Sequence, residues 1–190
     1  MKIKILSILL VIIAVISYSQ TITKPFAFGE KSMEITITPG EKWINPTEKT
    51  DGTSYVVWAE GTSGSYSNLL VMSEKITLKP ELQPEAFPFW SYKKTKIAVD
   101  VNSGATYQTA QPLPQEVAYY IYIEVSQPLK EGEKEKSPSI IYMATYSLNE
   151  GINELEMVLL GYGSNGYVNT NISGVEEIGK IVKGAKILVK

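Results

Sequence analysis

Two stretches of this chain alternate with a period of two, and that pattern limits its possible folds more than any other feature. Val117, Tyr119, Ile121, Ile123 and Val125 are interleaved with Ala118, Tyr120, Tyr122 and Glu124. Ile140, Tyr142, Ala144, Tyr146 and Leu148 are interleaved in the same way with Ile141, Met143 and Thr145. Successive side chains of a strand point to opposite faces, so each stretch presents a continuous face of β-branched and aromatic residues. A third run, Asn153 to Tyr162, follows Asn149-Glu150-Gly151, whose asparagine and glycine suit a tight turn. Together the three runs predict an antiparallel meander. No catalytic signature falls within it.

Upstream, Phe26 to Phe28 and Met33 to Thr38 flank the polar turn Gly29-Glu30-Lys31-Ser32, which predicts a hairpin with Met33, Ile35 and Ile37 on one face. Pro39-Gly40 ends it, and Trp43 follows as a core plug. Tyr55 to Glu60 and Leu69 to Ile76 predict a second strand pair joined by a loop over 61–68, rich in glycine and serine. Leu78 to Pro88 holds three prolines and reads as an irregular crossover into a helix over 88–103, with Pro88 in its first turn and Gly104 past its end.

The C-terminal segment predicts another helix. Ser173-Gly174-Val175-Glu176 has capping-box spacing, and Val175, Ile178, Ile181, Val182 and Ala185 form a helical apolar face. Glu176 and Glu177 lie toward the positive end of the dipole and Lys183 and Lys186 toward the negative end.

The first residues place Lys2 and Lys4 before an apolar run from Ile5 to Ile16, followed by Ser17-Tyr18-Ser19. That run is short for a bilayer span, and the small residues at 17 and 19 predict a secretory signal peptide over 1–19, cleaved before Gln20. Residues 20–190 are then one domain, secreted or periplasmic and without a membrane span after cleavage. Loss of Lys2 and Lys4 leaves 16 lysines against 20 acids, a net charge of −4 that argues against nucleic acid as a partner. Cysteine, histidine and arginine are all absent. Their absence excludes a lipid-acceptor cysteine, a Ser-His-Asp triad, a Cys-His pair, a histidine-ligated zinc and an arginine clamp. The spacing Gly161-x-Gly163-x-x-Gly166 ends a strand instead of opening a βαβ unit and lacks the Lys-Ser/Thr of a phosphate loop. No catalytic, metal or cofactor-binding residues are expected.

The order of hairpin, strands, helix, meander and C-terminal helix resembles the PsbP-like/Mog1-like domains. Met33-Glu-Ile-Thr-Ile-Thr-Pro-Gly-Glu-Lys-Trp43 and Gly174-Val-Glu-Glu-Ile-Gly-Lys-Ile-Val-Lys-Gly-Ala-Lys-Ile187 carry the resemblance. It implies an α+β fold in which helices sandwich an antiparallel sheet, and an accessory or binding role without catalytic residues.

The expected function is therefore that of an exported, non-catalytic accessory or binding protein of the cell envelope with a protein partner. Contacts are expected on the two longest polar loops, at Tyr66 and Asn68 and at Lys130, Glu131, Glu133, Lys134, Glu135 and Lys136. Two alternatives stand beside it. One is a small apolar-ligand carrier lined by tyrosines. The other is a hydrolase that pairs two carboxylates, with Asp51, Glu60 and Asp100 as candidates.

Overall fold

The computed structural model describes residues 22–28, 31–47, 51–62, 66–72, 83–94, 106–108, 118–128, 138–147, 151–172 and 180–189. Its strands are β1 (Ile22–Phe28), β2 (Lys31–Pro39), β3 (Ser54–Gly61), β4 (Tyr66–Met72), β5 (Thr106–Gln108), β6 (Tyr119–Ser126), β7 (Ile140–Tyr146), β8 (Gly151–Leu155), β9 (Val158–Gly163), β10 (Val168–Asn169) and β11 (Val182–Val189). Two short helical segments, α1 (Gln83–Ala86) and α2 (Pro88–Lys94), lie between β4 and β5. The strands form a four-stranded sheet, ordered β1-β2-β11-β8, and a seven-stranded sheet, ordered β10-β9-β7-β6-β3-β4-β5, with every pair antiparallel.

This corrects the α+β expectation and the architecture implied by the PsbP-like/Mog1-like resemblance. The described chain is predominantly antiparallel β in two facing sheets, with short helical cover on the outer face of the larger one. The main core lies between the sheets. Ile35 and Ile37 of β2, Ala185 and Ile187 of β11 and Leu155 of β8 meet Tyr55, Val57, Tyr119, Ile121, Ile123, Ile140 and Tyr142 of the larger sheet. The alternation read in β6 and β7 is the one observed: their odd and even residues respectively point inward. Trp43 plugs this core, its ring 6.0 Å from that of Tyr55.

Three local expectations change. The run over 153–162 is two strands: β8 pairs with β11 in the smaller sheet, whereas β9 pairs with β7 in the larger. The chain crosses between sheets at Glu156-Met157, and the expected pairing of β7 with the run that follows Asn149-Glu150-Gly151 is made by β9 and not by β8. The second half of the expected C-terminal helix is strand β11, held between β2 and β8, while residues 173–179 lie outside the described residues. A β-bulge between Val182 and Gly184 lets Val182 and Ala185 both point inward three residues apart, which imitates helical spacing. The helix expected over 88–103 begins at Pro88 and is described to Lys94; its remainder lies outside the described residues. The first hairpin and the strand pair β3 and β4 are both present, but β2 begins at Lys31, inside the expected turn, β4 begins at Tyr66, inside the expected loop, and residues 73–76 of the expected run lie outside the described residues.

Candidate functional site

The outer face of the larger sheet is built by alternation. Val56, Trp58 and Glu60 of β3, Tyr120, Tyr122 and Glu124 of β6, Ile141, Met143 and Thr145 of β7, and Val158 and Leu160 of β9 point away from the main core. Part of this face is covered: Ala86, Phe87, Phe89 and Trp90 of the helical segment pack on Val56, Trp58 and Ile141 as a second core. β3 therefore lies between two apolar layers, which explains the unbroken run Tyr55-Val-Val-Trp-Ala59.

Helix α2 starts without a capping side chain of its own. Ser91 donates its amide to the Phe87 carbonyl at 2.8 Å, so Phe87 occupies the cap position, Pro88 the first turn, and the amides of Phe89 and Trp90 need an acceptor from elsewhere. Glu124 supplies it from the sheet. Its Oε1 accepts from Phe89 N at 3.3 Å and from Ser139 Oγ at 2.5 Å, and its Oε2 accepts from Trp90 N at 2.8 Å. The carboxyl has no solvent exposure. Burial pushes it up to about 7, against the lowering effect of the Ser139 hydroxyl and of the Trp90 and Phe89 amides. Gly163 belongs to the same arrangement, since a Cβ there would collide with Ser139 Oγ and Glu124 Oε1.

Beyond α2 the face opens to solvent. Trp58 donates its indole N–H to Glu60 at 3.0 Å, and Lys93 Nζ lies 3.0 Å from the same carboxylate and 5.1 Å above the Phe89 ring. Tyr122 stacks on Trp58 at 5.1 Å with the ring planes 12° apart, and burial, with the nearby Glu60 charge and Tyr120 as lesser causes, pushes its hydroxyl up to about 12. Tyr120, Tyr122 and Met143 are half-buried, Thr145 is exposed, and Val158 is 51% exposed. The tip of the β9–β10 hairpin, closed by Ser164 N donating to Tyr167 O at 3.0 Å, rests on Tyr92. Gly166 has φ of 89°, and a Cβ there would come within 2.9 Å of that ring.

The residues expected from sequence fall in different places. Asp51 is exposed ahead of β3, whereas Glu60 stands at the far end of that strand in its ion pair; Asp100 lies outside the described residues. Tyr66 and Asn68 are strand residues of β4, correcting their placement in a loop, and Lys130, Glu131, Glu133, Lys134, Glu135 and Lys136 lie outside the described residues. Tyr55, Tyr119, Tyr142 and Tyr146, which the carrier reading would place along a cavity, are members of the main core. Gly161, Gly163 and Gly166 shape the β9–β10 hairpin. Glu124 is the residue that sequence reading missed. The available signal was Phe87-Pro88-Phe89-Trp90, a helix start with no local acceptor for its free amides.

Among the described residues no group of three or more His, Cys, Asp or Glu side chains could hold a metal ion, and no helix is long and apolar enough to cross a membrane. No family model, curated protein or solved structure matches the chain.

Proposed function

We propose that this chain is an exported, non-catalytic accessory module that binds a protein partner through the open part of the outer sheet face. The observation that carries this reading is the strip Tyr120, Tyr122, Met143 and Val158, rimmed by Glu60, Lys93 and Thr145. An apolar, tyrosine-containing centre with a polar rim is the composition of a reversible protein interface. The two carboxylates on this face already have structural work: Glu124 caps α2 and Glu60 binds Lys93 and Trp58.

The test compares proteins captured from the native envelope by the wild type, by Val158→Lys, and by a variant with residues 130–136 replaced by a Gly-Ser linker. Val158→Lys should lose the partner and the linker variant should keep it, because that loop joins the opposite ends of β6 and β7. An unchanged partner set with Val158→Lys refutes the sheet-face reading. Hydrolysis of a glycan or ester by the pure protein, abolished by Glu60→Gln, refutes the non-catalytic one.

A further inference from the structure

Glu124 is the one fully buried acidic side chain among the described residues, and neutral groups hold it: two amides and a hydroxyl. Besides Lys94 of α2, whose side chain lies outside the described ones, the ionisable groups facing this side of the elements around it are Glu85 of α1, Tyr92 and Lys93 of α2, Glu60 of β3, and Tyr120 and Tyr122 of β6. The described residues of β7 and β9 add none on this face. The cation among them, Lys93, is bound to Glu60. A buried carboxylate without a cation loses far more hydration than three neutral donors return, whereas a carboxylic acid in the same place loses little. The geometry accommodates the acid, because Ser139 Oγ, 2.5 Å from Oε1, can accept a proton from it as readily as donate one.

What seals the carboxyl from water is α2. Two polar atoms that this helix buries, Trp90 Nε1 and Ser91 Oγ, have no hydrogen-bond partner among the described residues, which weakens its hold on the sheet. Lifting α2 would hydrate Glu124 and return it to an ordinary carboxylate, so the seated helix binds a proton that the lifted one releases. We propose that Glu124 is a proton-operated latch: α2 stays seated while the carboxyl keeps its proton, and loss of that proton shifts the helix toward a lifted state that bares Val56, Trp58 and Ile141. This device is independent of the identity of any partner.

Its size follows from linkage. With the seated carboxyl near 7 and an ordinary value of 4.5, the seating equilibrium weakens by up to about 300-fold as pH rises through that window, and stays level above it. The experiment is amide hydrogen exchange by NMR between pH 5 and 8, corrected for the intrinsic rate of exchange. Protection of Phe89, Trp90 and Ser91 should fall relative to amides of β6 and β7 in the wild type and stay level in Glu124→Gln. A wild-type profile without that fall, or the same fall in Glu124→Gln, overturns the latch. Carboxyl ¹³C titration of the wild type decides the matter without the variant: a Glu124 midpoint near 7 supports the proposal, and one near 4.5 overturns it.

Discussion

Replacing Ile187 with alanine tests whether the C-terminal segment is the strand that joins the smaller sheet. Ile187 is fully buried in the main core, with Ile35 of β2 as its neighbour on one side and Asn153 of β8 on the other. The substitution removes three carbons, worth about 2.4 kcal/mol at roughly 0.8 kcal/mol for each buried methylene. A void between two strands that pair on both sides closes only in part, and adds roughly 1 kcal/mol. The expected loss is therefore about 3 to 4 kcal/mol, or a fall in Tm of about 6 to 16 °C for a domain of this size. Urea unfolding followed by far-UV circular dichroism measures it. Ile152→Ala, at a side chain 66% exposed on β8, is the control and should change stability by less than about 0.5 kcal/mol. Equal midpoints for the two variants would refute the inward orientation of Ile187 and the register that sets it.

Glu124 gives a stability effect opposite to that of most carboxylates. Its folded value lies above its unfolded one, so its contribution is complete below pH 4.5 and is lost as pH rises toward 7, by about 3 kcal/mol; the difference between wild-type and Glu124→Gln urea midpoints across pH 4 to 8 should follow that curve. Tyr55 and Tyr122, both pushed up to about 12, should stay neutral in the folded protein through pH 10 to 11, with stability lost as pH climbs from 10 to 12; absorbance titration near 295 nm checks this. Gly163→Ala should cost about 1 to 3 kcal/mol, because its methyl must displace the Ser139 hydroxyl or the Glu124 carboxyl; Ser139→Ala should make the loss smaller in a double-mutant cycle. The expected signal peptide is checked by N-terminal sequencing of the native protein, which should begin at or near Gln20; an intact Met1 on membrane-bound protein would refute cleavage.

The parts of this fold that were legible in the sequence are those where local pattern and final environment agree. β6 and β7 alternate because one face meets the main core, and Phe26 to Thr38 forms the expected hairpin, although Lys31 and Ser32, read as turn, pair with Phe28 and Ala27. The C-terminal segment misled because Val182 and Ala185 straddle a bulge, so two inward residues sit at a helical interval, while the strand signal of Ala185, Ile187 and Val189 is only three residues long. The single run over 153–162 concealed a change of sheet, since Leu155, Met157 and Leu159 serve one core from both sides. Glu124 was hidden for a different reason. A glutamate among outward residues reads as facing solvent, and only the docking of a helix some 34 residues away in sequence puts it under cover.

The crossing at Glu156-Met157 has a consequence for the order of folding. Among the described residues, β8 has no partner in the larger sheet, and in the smaller one its one described neighbour is β11, the last described strand, which also joins it to the β1–β2 hairpin. A nascent chain that has produced everything up to β10 can therefore assemble the larger sheet, but it leaves that sheet's inner aromatic face open and β8 unattached. Closure waits on contacts between residues 33–39 and 182–189, among the most distant pairings in the chain, and contacts of that separation make folding slow. The two sheets cannot close on each other until β11 has been made, an interval in which the aromatic inner face of the larger sheet stays open to whatever meets the nascent chain.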